Sequence, residues 1–221
     1  MRLEGPRRIG GQRFERIAAA LALLGAAAVV VANIVGVWLH PTTGFFADTI
    51  SNLAAGRYAW VLDIALVLFA IGMVAVGVAL WRQDLDGWRF RTGAALTMLT
   101  GIGIAVIALY DEYGDNDTGG VTIHLEVVIA MALAFAIATW LVAPGLTRIG
   151  SRWSAFSMLI GVGWLLLGLA FYFVASDGWD GFVERIAAGL MVVWALAMAR
   201  LVVKEREAAS PWAGRGVAHA T

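Results

Sequence analysis

The chain contains no cysteine. Disulfides, thiolate zinc sites, iron–sulfur clusters and a cysteine nucleophile are therefore excluded. Charge is also scarce. Only 14% of the 221 residues are Asp, Glu, Lys or Arg, whereas a soluble domain carries about 25%. That shortage excludes a disordered chain and a nucleic-acid binder, both of which need charge in excess. Apolar residues fill the space, at 61% of the sequence with a mean hydropathy of +0.80. A soluble domain of this length would leave much of that surface in water and would aggregate. The composition therefore predicts an integral membrane protein in contact with the lipid bilayer.

A spanning helix needs about 20 mostly apolar residues. Six stretches qualify: Ile17–Leu39, Tyr58–Trp81, Phe90–Tyr110, Ile123–Leu146, Trp153–Ala175 and Phe182–Val203. The expected fold is all-α, a bundle of six transmembrane helices spanning 17–203. A basic tail, 1–16, precedes it, and a short tail rich in polar and small residues, 204–221, follows. The first apolar run exceeds the 7–15 residues of a secretory signal core, so it reads as an uncleaved span.

Orientation follows from Lys and Arg. Fourteen of the sixteen lie in or beside the two tails and the loops after the second and fourth spans; only Arg57 and Arg185 lie at the opposite end. Both termini are expected in the cytoplasm of a cell membrane. Acids run the other way, with ten of sixteen at the outer end. Small residues recur at four-residue spacing in Ala28, Ala32 and Gly36 and in Gly101 and Ala105; with Gly161, Gly163 and Gly168 they read as helix-packing surfaces.

The longest outer loop is His40–Arg57, HPTTGFFADTISNLAAGR. A helical turn over Ala47–Ala54 would place Asp48, Ser51 and Asn52 on one face, and Phe45, Phe46 and Leu53 would dock the segment as a lid. In the blander reading Asp48 simply N-caps a short helix. The second outer loop, DEYGDNDTGGVT, supplies Asp111, Asp115 and Asp117 ahead of His124 and Glu126. It suggests weak calcium binding but departs from the EF-hand pattern. Asn33 and His40 lie two turns apart on one face of the first span, a polar stripe of about 10 Å.

Asp63 and Glu126 lie about a turn inside their spans. An acid costs roughly 2.5–3.5 kcal/mol at the bilayer centre and less near the interface, so such groups face the bundle interior and a partner. Arg185, beside Glu184, and Arg57 are the candidate partners; a structural Asp63–Arg185 pair is the simpler reading. The inner half offers little beyond Thr97, Thr100, Thr139, Ser154 and Ser157, and no inverted repeat is visible. Together these features favour an outward-opening acidic vestibule closed below.

Three motifs carry a family resemblance: Asp48-Thr49-Ile50-Ser51-Asn52-Leu53, the pair Asp111 and His124, and the Gly181-x-x-Glu184-Arg185 start of the last span. Over about residues 15–205 the chain resembles the six-helix membrane family called domain of unknown function 998, DUF998. That family implies the fold but brings no established activity. A more distant similarity links Ser51, Asp111 and His124 to membrane hydrolases of the alkaline ceramidase and adiponectin-receptor type, which use Ser, Asp and three His around zinc. Only His40 and His124 are placed to help here, since His219 lies in the tail.

Three functions stay open. In the first, a vestibule built on Asp48, Asn52, Asp63, Glu126, Glu184 and Arg185 binds a lipid head group, another small ligand or a partner. The second is a lipid hydrolase with Ser51, Asp111 and His124 catalytic and His124, Asp111 and Asp48 holding zinc or calcium. The third is a small-molecule transporter. Nothing signals haem or flavin.

Because the chain has no cysteine, any introduced one is unique. Gly119→Cys is expected to react with a membrane-impermeant maleimide in intact cells, and Ser210→Cys only after permeabilisation. The reverse pattern would invert the orientation.

Overall fold

The computed structural model describes residues 10–39, 44–54, 56–83, 85–110, 123–174 and 178–208. Its elements are α1 (Gly10–Leu39), α2 (Ile50–Leu53), α3 (Ala59–Trp81), α4 (Gly87–Ile107), α5 (His124–Leu146), α6 (Ser151–Phe173) and α7 (Asp180–Ala208). A single 3₁₀ turn, Gly56–Tyr58, leads into α3. There is no strand among the described residues. Six helices, all but the four-residue α2, are long and apolar enough to cross a membrane. The hydrogen-bond logic of a bilayer makes this the expected solution, because a helix satisfies its own backbone where water is absent.

Each long helix runs antiparallel to the next: α1 packs on α3, α3 on α4, α4 on α5, α5 on α6 and α6 on α7, and α7 closes back on α1. The α1–α3 seam is the closest of these. A Cβ added to Gly25 would lie 2.6 Å from the Leu68 carbonyl oxygen, and one on Gly72 would lie 2.9 Å from the Ala22 Cα. Only glycine lets the two backbones approach so closely in lipid, where packing replaces the hydrophobic drive between helices. Gly101 meets α3 and Gly161 meets α5 in the same way, whereas Gly168 has nothing within 4 Å. The small residues thus mark real seams in α1, α3, α4 and α6, but not at every position.

The interior is filled by side chains. Trp194, Phe135, Phe90, Met73 and Met198 are fully buried. Phe135 meets both Trp164 and Trp194 edge-on, at 5.1 and 5.4 Å between ring centroids. One polar junction ties three helices together: the Ser157 hydroxyl donates to the Thr139 carbonyl at 2.8 Å and accepts from Trp194 Nε1 at 3.0 Å. Every polar atom of this buried trio is thereby matched.

Both ends of the helical region extend past the apolar runs. Helix α1 begins at Gly10, within the basic segment, and α7 continues to Ala208. The early start carries Glu15 into the bundle, where it is fully buried facing Arg82 Nε at 3.5 Å. The Arg82 guanidinium also lies over the Phe14 ring, 4.7 Å from its centre. This contact fastens the start of α1 to the end of α3.

Ser157→Ala is expected to strand the Trp194 N–H and cost about 1–2 kcal/mol. The thermal unfolding midpoint in detergent should fall accordingly; an unchanged midpoint would show the junction to be dispensable.

Candidate functional site

Asn33, Asp48, Ser51, Asn52, Glu184 and Arg185, all singled out in the sequence, come together where α2, α1 and α7 meet. Residues 44–54 form a short strap across this end. Leu53 anchors it. Its side chain is buried among Ala32, Leu62 and Ala65, and it rests on Gly36, whose hypothetical Cβ would be 3.1 Å away. Phe46 anchors the other end against Trp179 and Phe182, with ring centroids 5.7 and 5.4 Å distant. Phe45 lies under the Arg185 guanidinium at 4.7 Å. The expected docking role of Phe45, Phe46 and Leu53 is realised.

Two helix starts complete one another here. The first N–H groups of a helix have no partner within it. In α7 the strap supplies them: Gly181 N–H donates to the Ala47 carbonyl at 3.3 Å and Phe182 N–H to the Phe46 carbonyl at 2.9 Å. In return, Glu184 accepts the Ile50 N–H of α2 at 2.5 Å. Arg185 adds a third tie by donating through Nη1 to the Asp48 carbonyl at 2.6 Å. Its Nε donates to Asn33 Oδ1 on α1 at 2.8 Å. One guanidinium therefore links three elements. The crossing is so close that a Cβ on Gly181 would overlap the Asp48 carbonyl oxygen.

The short helix is capped differently from the simple expectation. Thr49, not Asp48, is the N-cap of α2, and its hydroxyl accepts from the Asn52 N–H at 3.3 Å. Asp48 is one residue too early for that role. Its carboxylate instead accepts from the Gly44 N–H at 2.6 Å and from Asn52 Nδ2 at 3.2 Å. Ser51 shares a 2.9 Å hydroxyl contact with Thr49.

The remaining candidates sit on α3 and α5 or outside the described residues. Asp63 is half-buried in the second turn of α3. Arg185 donates to Asn33 on α1 and to the Asp48 carbonyl of the strap. His124 opens α5, and Glu126 sits exposed in the same first turn, where a negative charge suits the helix dipole. The His124 Nδ1 lies 3.2 Å from the Tyr110 carbonyl. Since a carbonyl only accepts, a hydrogen bond here has Nδ1–H as its donor, and the neutral tautomer that makes it carries its lone pair on Nε2. Asp111, His40 and the acidic stretch with Asp115 and Asp117 lie outside the described residues. Among the described residues, no three His, Asp or Glu side chains gather closely enough to hold a metal ion. Asp48, His124 and Glu126 therefore do not form such a cluster by themselves.

A family model matches residues 16–201, described as "Protein of unknown function (DUF998)". The chain belongs to the DUF998 family. No curated protein and no solved structure matches it. The structure gives two motifs of this DUF998 chain a physical meaning: Asp48–Leu53 and Gly181–Arg185 are halves of a single contact. Gly181 admits the strap, Glu184 and Arg185 bind its backbone, and Leu53 fixes its far end. The sequence places Gly181 and Thr49 within the family motifs beside Asp48, Glu184 and Arg185 but gives neither a role of its own. The signal for Gly181 was its place at the head of the Gly-x-x-Glu-Arg stretch, where a side chain has no room.

Gly181→Ala should therefore lift the strap. Amide exchange at Ile50, Asn52, Gly181 and Phe182 is expected to quicken about tenfold, the effect of losing one to two net hydrogen bonds. Exchange unchanged from the native protein would show that the strap is held elsewhere.

Proposed function

We propose that this membrane protein works by binding and not by catalysis, and that its ligand is a polar lipid head group held at Arg185 beneath the 44–54 strap. One observation carries the reading. Among the described residues, buried Arg185 Nη2 has no hydrogen-bond partner, whereas Nε and Nη1 of the same group each donate a hydrogen bond. A buried donor left unmatched costs about 1–3 kcal/mol, more when charged, so such a group calls for an acceptor. A phosphate or carboxylate oxygen is the acceptor that best matches a guanidinium. The depth also suits a head group: Arg185 is five residues into α7, so it lies about 8 Å from that helix's start. Glu184 and Asp48 then serve to hold the strap, and the acids of the outer loops would favour the ammonium end of a zwitterionic lipid.

A second reading rests on His124. Its Nε2 lone pair is oriented as in histidines that bind metal while donating through the other nitrogen. With Asp111 it would form part of a zinc site for lipid hydrolysis, with Ser51 assisting. The transporter reading draws no support from the interior, which is filled by Trp194, Phe135, Met73 and their neighbours.

Two measurements separate these readings. Native mass spectrometry of the protein released from nanodiscs should show a retained phospholipid that is lost in Arg185→Gln and partly restored in Arg185→Lys, with the thermal midpoint confirming that each variant folds. Lipid retention equal in all three would remove Arg185 as the binding group. The metal content of protein purified without a polyhistidine tag tests the alternative: about one zinc per chain, lost in His124→Ala, would put the hydrolase in its place.

A further inference from the structure

The guanidinium of Arg185 is covered as well as incompletely bonded. Its Nη2 is buried, so a ligand oxygen has no route to it in this arrangement. Two groups of the strap sit directly on the guanidinium: the Phe45 ring, 4.7 Å away, and the Asp48 carbonyl, which accepts from Nη1 at 2.6 Å. The contact from α1 is a single one, Asn33 Oδ1 on Nε. A head group can therefore reach Arg185 only if something moves, and the strap is the smallest element that covers it.

The two ends of the strap are held very differently. At one end Leu53 and Ala54 are only 1% and 7% exposed, and Leu53 packs on Ala32, Leu62 and Ala65. Withdrawing it would uncover a whole apolar side chain and leave a void. At the other end Phe45 and Phe46 are already 42% and 51% exposed, and Trp179, which Phe46 touches, is 55% exposed. Parting there uncovers little further apolar surface. The strap also gives up three bonds as it leaves, in which the carbonyls of Phe46, Ala47 and Asp48 accept from Phe182 N–H, Gly181 N–H and Arg185 Nη1. Phosphate oxygens are good acceptors for these same donors, so an arriving head group can replace the carbonyls it displaces.

We propose that residues 44–54 are a lid that opens at its Phe46 end about a pivot at Leu53, and that this opening admits the head group to Arg185. The inference rests on the head-group reading given above and adds to it the step that controls entry and release. Gating of this kind sets the rate of ligand exchange, whereas the Arg185 contacts set its affinity.

A chain without cysteine lets either end be locked by an introduced pair. The Phe182 N–H bond to the Phe46 carbonyl, at 2.9 Å, and the facing rings of the two residues suit Phe46→Cys with Phe182→Cys. At the pivot, a Cβ on Gly36 would lie 3.5 Å from Leu53 Cβ, a disulfide spacing, so Gly36→Cys with Leu53→Cys locks that end. Protein in detergent loaded with phosphatidylethanolamine is mixed with an excess of the chain-deuterated lipid, and native mass spectrometry follows the replacement. Oxidising the first pair should slow replacement by about tenfold or more relative to its reduced form. Oxidising the second pair should leave the rate unchanged. Phe46→Ala needs no crosslink and should speed replacement about tenfold by removing the aromatic contacts at the opening end. Equal slowing by both locks, slowing by neither, or an unchanged rate in Phe46→Ala would each overturn the lid. Arg185→Gln separates the two ideas. Retention lost in that variant, with a rate that ignores the locks, overturns the lid alone; retention that persists in it overturns the head-group reading and the lid together.

Discussion

The end of the bundle that carries the strap depends on the need of backbone polar groups for partners where water is scarce. Helix α7 starts with N–H groups that its own turns cannot satisfy, and so does α2. Each supplies what the other lacks. Carbonyls of Phe46 and Ala47 receive the first donors of α7, and Glu184 receives the first donor of α2. Away from water, in the apolar interior of a bilayer, an unmatched backbone group costs several kcal/mol. The exchange therefore gives the strap a defined position that its short helix could not secure alone, since four residues are far below the length of an independently stable helix.

That exchange sits at the join that closes the ring of helices. The chain passes through five spans before α7, the sixth, returns to α1, and Arg185 reaches across this last interface to Asn33. At the opposite end Glu15 and Arg82 fasten α1 to α3. Helix α1 is thus tied at both ends by ionisable groups, while its middle relies on close glycine contacts with α3. The arrangement suits the solvent. In hydrocarbon, packing holds the helices together and polar contacts define which faces meet. Near the two interfaces, charge becomes affordable, and there the guanidinium contacts appear.

Much of this was legible beforehand. The six spans follow from long apolar runs interrupted by charged loops, a signal that the bilayer imposes on any chain crossing it repeatedly. The docking of Leu53 and Phe46 was visible as apolar side chains in an otherwise polar loop. Other features were not. Glu15 reads as part of a basic tail because nothing in its neighbours announces that α1 begins early enough to bury it. The capping of α2 by Thr49 in place of Asp48 turns on a one-residue shift in where the helix starts, and both residue types are good caps.

Composition and hydropathy by themselves determined that the chain is a helical membrane protein of six spans, because the thickness of a bilayer sets the length of every crossing. They also marked Asp63, Glu126, Glu184 and Arg185 as unusual, since charge at membrane depth needs a reason, and Asp48 as part of a motif in the loop after the first span. Only the tertiary structure decided that the Asp48–Leu53 and Gly181–Arg185 motifs, more than a hundred residues apart, are two sides of one contact. Pairing of that kind depends on which helices become neighbours and how far each is shifted along its axis. Those are properties of packing, to which a linear pattern of residues gives no direct access.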